Sequence, residues 1–269
     1  MSFKLIIKRI SKYKAINFLK KYHYSKIMPR LTKECLGVYK NSKSELQGVV
    51  TLGWGTQPEG TINKIFYKDE MTSNDYYEIG KMAFLPENNG GNFGSQVISA
   101  LVSWIKNNLN INYLYTLADG IMGKCGYVYQ ASNFIYLGSF KTYVYMDRET
   151  KEKIHPRSAR KLLKENADYS NKEKVYWLTA DFCEYKGIDK IQGLMFRYIY
   201  PLNKKAKRKL KKYDEYLNND YPKDDKLLFK RRVKKGVYEK IEKPNFNMNC
   251  FKHNFQKPNS GQKSLFEEV

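Results

Sequence analysis

Between Tyr77 and Ala118 the chain runs strand, glycine-rich loop, amphipathic helix, strand, and this order constrains the fold more than any other stretch. Tyr77 to Leu85 reads as a strand stopped by Pro86. The run Glu87-Asn-Asn-Gly-Gly-Asn-Phe-Gly-Ser95 follows, and the apolar spacing then predicts a helix over 96–107 and a strand over 113–118. Unpaired N–H groups at a helix N-terminus, in line with the helix dipole, favour an anion. Gly91, Gly94, Ser95, Gln96 and the nearby Lys81 are therefore the candidates for holding a cofactor phosphate, with an ordinary helix cap as the alternative. The loop lacks the Lys-Ser/Thr ending of a nucleotide-hydrolysing phosphate loop. Its strand does not open a βαβ unit, which argues against a dinucleotide fold.

Around this nucleus, 4–8 alternates like a strand, and Tyr13, Ile16, Phe18, Leu19 and Tyr22 have helical spacing over 12–22. Residues 35–40 and 46–52 read as strands joined by the turn Asn41-Ser-Lys-Ser44. Residues 133–140 and 142–147 read as a further pair of strands. The expectation is mixed α/β, with a central sheet flanked by helices.

Charge separates the chain into two parts. The formal net charge is +22, of which residues 1–140 carry +8 and residues 141–269 carry +14. An enzyme of small metabolites has no need of this excess, whereas a polyanion partner does, because each neutralised phosphate releases counterions. The runs Lys204-Lys-Ala-Lys-Arg-Lys-Leu-Lys-Lys212 and Lys230-Arg-Arg-Val-Lys-Lys235 would contact phosphates rather than read bases. Lys204, Lys205, Lys207, Arg208, Lys209, Arg231 and Arg232 are the candidates from these runs for the phosphates of a polyanion. A polyanion of the nucleic-acid kind is the expected partner. No apolar run approaches the ~18 residues of a membrane span, so no membrane partner is expected. Four scattered cysteines and three histidines, without ligand spacing, suggest reduced thiols and no metal site. The expected organisation is a catalytic domain over 1–225, with a basic helix at 203–218, and a basic, largely irregular tail over 226–269.

The segment 117–134 concentrates the chemistry. Asp119 closes a strand-like run, Gly120, Gly123 and Gly126 follow, and Tyr129 brings a phenol to the same neighbourhood. Asp119 and Tyr129 are the catalytic candidates, as a proton acceptor and a proton donor. A backbone-capping loop acid and a core aromatic are the alternatives. Gln130 and Asn133 carry carboxamides able to pair with an adenine edge. His23, Tyr24 and Ser25 follow the first helix and are placed on the acceptor side. Trp54, between two glycines, could stack an extruded base or anchor its loop.

Taken together, His23-Tyr-Ser25 with Pro29, Glu78-Ile-Gly-Lys-Met82, Gly91-Asn-Phe-Gly-Ser95, the 118–134 segment, Phe196-Arg-Tyr-Ile-Tyr200 and Tyr221-Pro-Lys223 resemble the Mom family of phage DNA adenine-modification proteins. The resemblance covers about residues 1–225. It implies a GNAT (acetyltransferase-like) fold, mixed α/β and mostly antiparallel, extended by a basic helical C-terminus. It also implies an acyl-CoA-type donor and addition of a carbamoylmethyl-type group to the adenine N6 amino group, which shields DNA from restriction in a host bacterial cytoplasm. Iron, considered for the family, finds no two-histidine, one-carboxylate set here. Lys81 and Lys124 stand where the family often has Arg and His. A non-catalytic DNA-binding or anti-restriction accessory protein, and an ordinary N-acetyltransferase, are the competing readings.

Overall fold

The computed structural model describes residues 5–25, 28–55, 58–66, 71–213 and 219–250. In chain order the strands are β1 (Ile6–Arg9), β2 (Thr32–Tyr39), β3 (Gly48–Gly53), β4 (Tyr76–Phe84), β5 (Tyr113–Asp119), β6 (Ile135–Asp147), β7 (Lys153–Ile154), β8 (Ile188–Pro201), β9 (Lys230–Lys234) and β10 (Val237–Lys240). The helices are α1 (Lys12–Tyr22), α2 (Pro58–Ile65), α3 (Phe93–Asn108), α4 (Tyr127–Gln130), α5 (Pro156–Ala159), α6 (Leu163–Tyr169), α7 (Ala180–Tyr185) and α8 (Lys204–Leu210). The chain is mixed α/β and divides into two compact units. Unit 1 takes residues 1–119, 124–140 and 195–226; unit 2 takes 120–123, 141–194 and 227–269.

Unit 1 holds β1 to β5 in sequence order, followed by the later part of β8. All neighbours are antiparallel except β4 and β5. β3 is buried along its whole length, as its near-continuous apolar sequence requires. α1 starts where the Ser11 hydroxyl accepts from the Lys14 N–H, and it buries Ala15, Phe18 and Leu19 at i, i+3 and i+4. Those three pack with Val49 and Ala83. α3 turns Val97, Ile98, Leu101, Val102 and Ile105 inward. A second cluster joins Ile62 and Ile65 of α2 to Tyr76, Tyr113, Tyr115 and Ile199 of the sheet and to Ala206 and Leu210 of α8. Truncating a fully buried leucine such as Leu101 in such a core costs about 2–5 kcal/mol.

Unit 2 has its own core of Tyr145, Ile154, Ala159, Leu178, Phe182, Cys183 and Ile188. A smaller cluster joins Ile121, Val144, Ile191 and Phe246.

Two expectations change here. Residues 133–147 do not form two strands: β6 runs unbroken through Gly138, which keeps the ladder at φ +80 instead of turning the chain. The stretch after residue 226 is not irregular throughout. β9 and β10 form a hairpin around Gly236 that pairs with β8, placing Arg231 opposite Ile191. The basic helix spans Lys204–Leu210; residues 214–218 of the expected helix, and everything after 250, lie outside the described residues.

Candidate active site

β4 and β5 pair in parallel over only three positions, ending at Glu78 opposite Tyr115. Both strands continue, β4 against β3 as far as Phe84 and β5 against β8 as far as Asp119. They therefore diverge, and a wedge opens inside the sheet. β4 shifts register between its pairings of Ile79 and Lys81, which is a bulge at Gly80, and such bulges redirect side chains. At the apex the Thr116 hydroxyl donates to the Ile79 carbonyl at 3.4 Å.

Four elements deliver polar side chains to this wedge. β4 contributes Glu78 and Lys81, β5 contributes Thr116 and Asp119, the end of α1 contributes His23, Tyr24 and Ser25, and α4 contributes Tyr129. Lys81 Nζ donates to Ser25 Oγ at 2.6 Å, tying β4 to the residues after α1. His23 is buried. Its ring stacks on Tyr24 with centroids 4.5 Å apart, and its Nδ1 accepts the Ser25 N–H at 2.8 Å. Lys124 Nζ lies 4.4 Å from the Tyr24 ring centroid. Burial, then the charge of Asp119, then Tyr129 hold the Tyr24 phenol far above its usual range. Asp119 and Tyr129 thus act on one hydroxyl. The Tyr129 phenol is also raised by burial, against a hydrogen bond with Thr116, and feels Glu78.

Glu78 is the residue that sequence reading did not single out. Burial pushes its carboxyl up to about 7, with Lys81 pulling the other way. The carboxylate lies against the backbone of Gly55, which sits at φ +69. Any Cβ there would overlap Glu78 Oε2, so only glycine permits this approach. The same carboxylate raises the Tyr76 phenol, which burial leads to about 12, and the Tyr115 phenol beyond it. The signal was available only as Glu78-Ile-Gly-Lys-Met82 beside Gly-Trp-Gly, because the environment is made by residues distant in the chain.

Segment 125–134 is a structural clamp. Tyr198 donates to the Cys125 carbonyl, and the Gln130 amide nitrogen reaches the Tyr198 hydroxyl (3.0 Å), the Pro222 carbonyl (2.9 Å) and the Cys125 carbonyl (3.3 Å). Tyr221 donates to the Phe134 carbonyl at 2.6 Å, and Tyr127 to Asp224 at 3.1 Å. Gly126, at φ +91, leaves room for the Tyr198 ring, which would lie 2.6 Å from an added Cβ. The Gln130 amide, expected to face an adenine edge, gives its N–H donors to this clamp. Asn133, exposed at φ 58, closes the turn after α4.

The loop before α3 leaves the first backbone N–H groups of the helix outside its ladder. The first intrahelical bond is Gln96 N–H to the Asn92 carbonyl, so the N–H groups of Phe93, Gly94 and Ser95 precede the ladder. Gly91 stands at φ +51 with open space where a Cβ would be, and Gln96 is exposed. Gly94 packs on Val128, linking this turn to α4. Ser95 Oγ donates to the Asn92 carbonyl at 2.9 Å, so its hydroxyl proton serves the cap.

On α8, Lys204, Lys205, Lys207 and Arg208 are exposed, while Lys209 Nζ meets Met71 Sδ at 3.4 Å. The unit 2 arginines are engaged in their own unit. Arg231 pairs with Glu239 at 2.8 Å, and Arg232 donates to the Leu178 and Thr179 carbonyls at 3.2 and 3.0 Å. Both, expected to contact phosphates, anchor the hairpin through these bonds. Trp54 lies edge-on to Tyr77, with Lys33 Nζ 4.3 Å from its ring centroid. Among the described residues no group of three or more His, Cys, Asp or Glu could hold a metal, and no helix is long and apolar enough to cross a membrane.

Comparison with known proteins adds lineage to this geometry. The chain is 28% identical over 208 residues to the methylcarbamoylase mom of Escherichia phage Mu, covering 77% of this chain and 79% of that protein. Among solved structures, a GNAT family acetyltransferase from Elizabethkingia anophelis with acetyl-CoA bound aligns at TM-score 0.38 and 13% identity, over 74% of this chain and 99% of that one. A GNAT family acetyltransferase from Bacillus anthracis aligns at 0.37 and 10%, over 75% and 97%. The profile of the Mom protein family matches residues 4–223, spanning the wedge, the 118–134 segment and α8, and the chain belongs to that family.

Proposed function

We propose that this protein modifies the N6 amino group of adenine in double-stranded DNA with a carbamoylmethyl-type group, protecting phage DNA from restriction in the host bacterial cytoplasm. The observation that carries the reading is the wedge between β4 and β5 of a Mom family chain, where Asp119 and Tyr129 act on Tyr24 and the buried Glu78 carboxyl acts on Tyr129. An exocyclic amine of adenine attacks an electrophilic carbon only if it sheds a proton, whatever the donor. Glu78 is matched to accept that proton near neutral pH, and Asp119 orients the amine. Tyr24 and Tyr129, held protonated, supply hydrogen-bond donors for a departing group.

The residues that would hold an acyl-CoA-type donor are the N–H groups of Phe93, Gly94 and Ser95, together with Gly91 and Gln96, on the phosphates. Attack on a thioester carbonyl would leave an N6-amide. For a carbamoylmethyl-type product such a donor would have to present the methylene carbon of that group together with a leaving group borne on it, which departs as N6 bonds to the methylene and sheds its proton. Because N6 takes part in base pairing, the target adenine must leave the stack, and the residues after α1 would line its acceptor side. Lys204, Lys205, Lys207 and Arg208 would contact the backbone phosphates.

Nucleoside mass spectrometry on DNA from cells expressing the chain tests this. An adenine adduct is expected with wild type and lost with Asp119→Ala and with Glu78→Gln. Unmodified adenine with soluble wild-type protein would overturn the proposal.

A further inference from the structure

In unit 2, four large rings stand open to solvent within 17 residues: Tyr169 (47%), Tyr176 (71%), Trp177 (63%) and Tyr185 (65%). Soluble proteins seldom leave such surface grouped without a use. These rings are not loose. Tyr169 and Tyr185 stack at 4.8 Å and 24°, on top of buried Phe182. The segment bearing Tyr176 and Trp177 is pinned from beneath by fully buried Asn166, whose Oδ1 accepts from the Thr179 hydroxyl (2.9 Å) and N–H (3.2 Å). Arg232 of β9 binds the Leu178 and Thr179 carbonyls, clipping the β9–β10 hairpin to this segment.

The hairpin brings charge. Lys234, Lys235 and Lys240 are exposed on it, and Lys172 and Lys174 are exposed beside the rings, with Lys174 Nζ 5.1 Å from the Tyr176 centroid. Three nearby acids are neutralised in ion pairs: Glu165 with Lys186, Glu184 with Arg148 and Glu239 with Arg231. Asp168, Glu173 and Asp181 are also exposed on the segment. The lysines outnumber these three acids.

We infer that this face of unit 2 is a platform for unpaired nucleic-acid bases, binding a single-stranded DNA segment. Exposed ring faces with interleaved lysines suit bases whose own faces are open and whose phosphates run alongside; in a duplex those faces are already stacked. The inference rests on the DNA reading above, since removing an adenine from its pair leaves unpaired bases in the same DNA.

The test uses the full chain and oligo(dT) of about 20 nucleotides, read by tryptophan fluorescence and by anisotropy. Wild type should show quenching on binding. Tyr176→Ala with Trp177→Ala should lose roughly ten-fold or more in oligo(dT) affinity while duplex affinity stays within about two-fold. Trp177→Phe should keep the affinity and lose the quench, which separates stacking from misfolding. Unchanged oligo(dT) binding by the double variant, or an equal loss on duplex, overturns the platform. Quenching by phosphatidylglycerol vesicles but not by oligo(dT) overturns it in favour of a membrane surface. An adenine adduct with no platform leaves the modification reading standing, and oligo(dT) stacking with no adduct leaves only the platform.

Discussion

Replacing Glu78 with glutamine should make the protein more stable at alkaline pH while removing its activity. A carboxyl moved from 4.5 to about 7 is harder to ionise in the folded protein than in the unfolded chain. At about 1.36 kcal/mol per pH unit, that difference amounts to roughly 3 kcal/mol. The sign follows from linkage. Between pH 4.5 and about 7 the folded state binds more protons than the unfolded one, so stability falls as pH rises through this window and levels off above it. Glutamine keeps the shape and cannot ionise. Its advantage over wild type should be under about 1 kcal/mol at pH 5 and about 3 kcal/mol at pH 8.5. Urea unfolding at both pH values, with unchanged m-values, measures this directly. The modification rate of wild type should rise with pH through about 7, as expected for a base that works deprotonated. An equal stability difference at both pH values would refute the reasoning, because the carboxylate would then not be the strained group.

Converting Lys204, Lys205, Lys207 and Arg208 to glutamine should reduce the log–log salt slope of duplex binding by about 3–4; an unchanged slope excludes α8 from the phosphate contacts. Tyr198→Phe removes the hydroxyl that donates to the Cys125 carbonyl and faces Gln130, and should cost about 1–2 kcal/mol in urea unfolding. Gly55→Ala should cost about 2 kcal/mol or more, from its φ of +69 and its overlap with Glu78. Adding Glu78→Ala to that variant should recover part of the loss, and strict additivity in the double-mutant cycle would show the two positions to be independent.

Where local pattern decides structure, the sequence was readable. Apolar spacing alone bounds α1 at 12–22, and the strand, glycine loop and helix of 76–108 need only alternation, glycines and amphipathicity. α2 escaped notice because Pro58-Glu-Gly60 begins it with two poor helix formers, and its stability comes from packing Ile62 and Ile65. β6 was divided at Lys141, although 135–147 form one strand that also runs through Gly138. The site shows the same split. Asp119 and Tyr129 stand out as an acid at a strand end and a tyrosine after glycines. The character of Glu78 arises from Gly55 and Lys81 closing around it, which no spacing rule reports. Nor does spacing report that the Gln130 amide meets the Pro222 carbonyl.

The chain passes between the two units five times, at 119/120, 123/124, 140/141, 194/195 and 226/227, and two of these crossings fall inside β6 and β8. Neither unit is therefore a transferable cassette that a recombination event could move whole. The ring-bearing part, residues 141–194, leaves unit 1 within β6 and returns to it within β8. Its ancestry would be sought in lengthening of that connection, and a shortened relative lacking it would still possess an uninterrupted wedge.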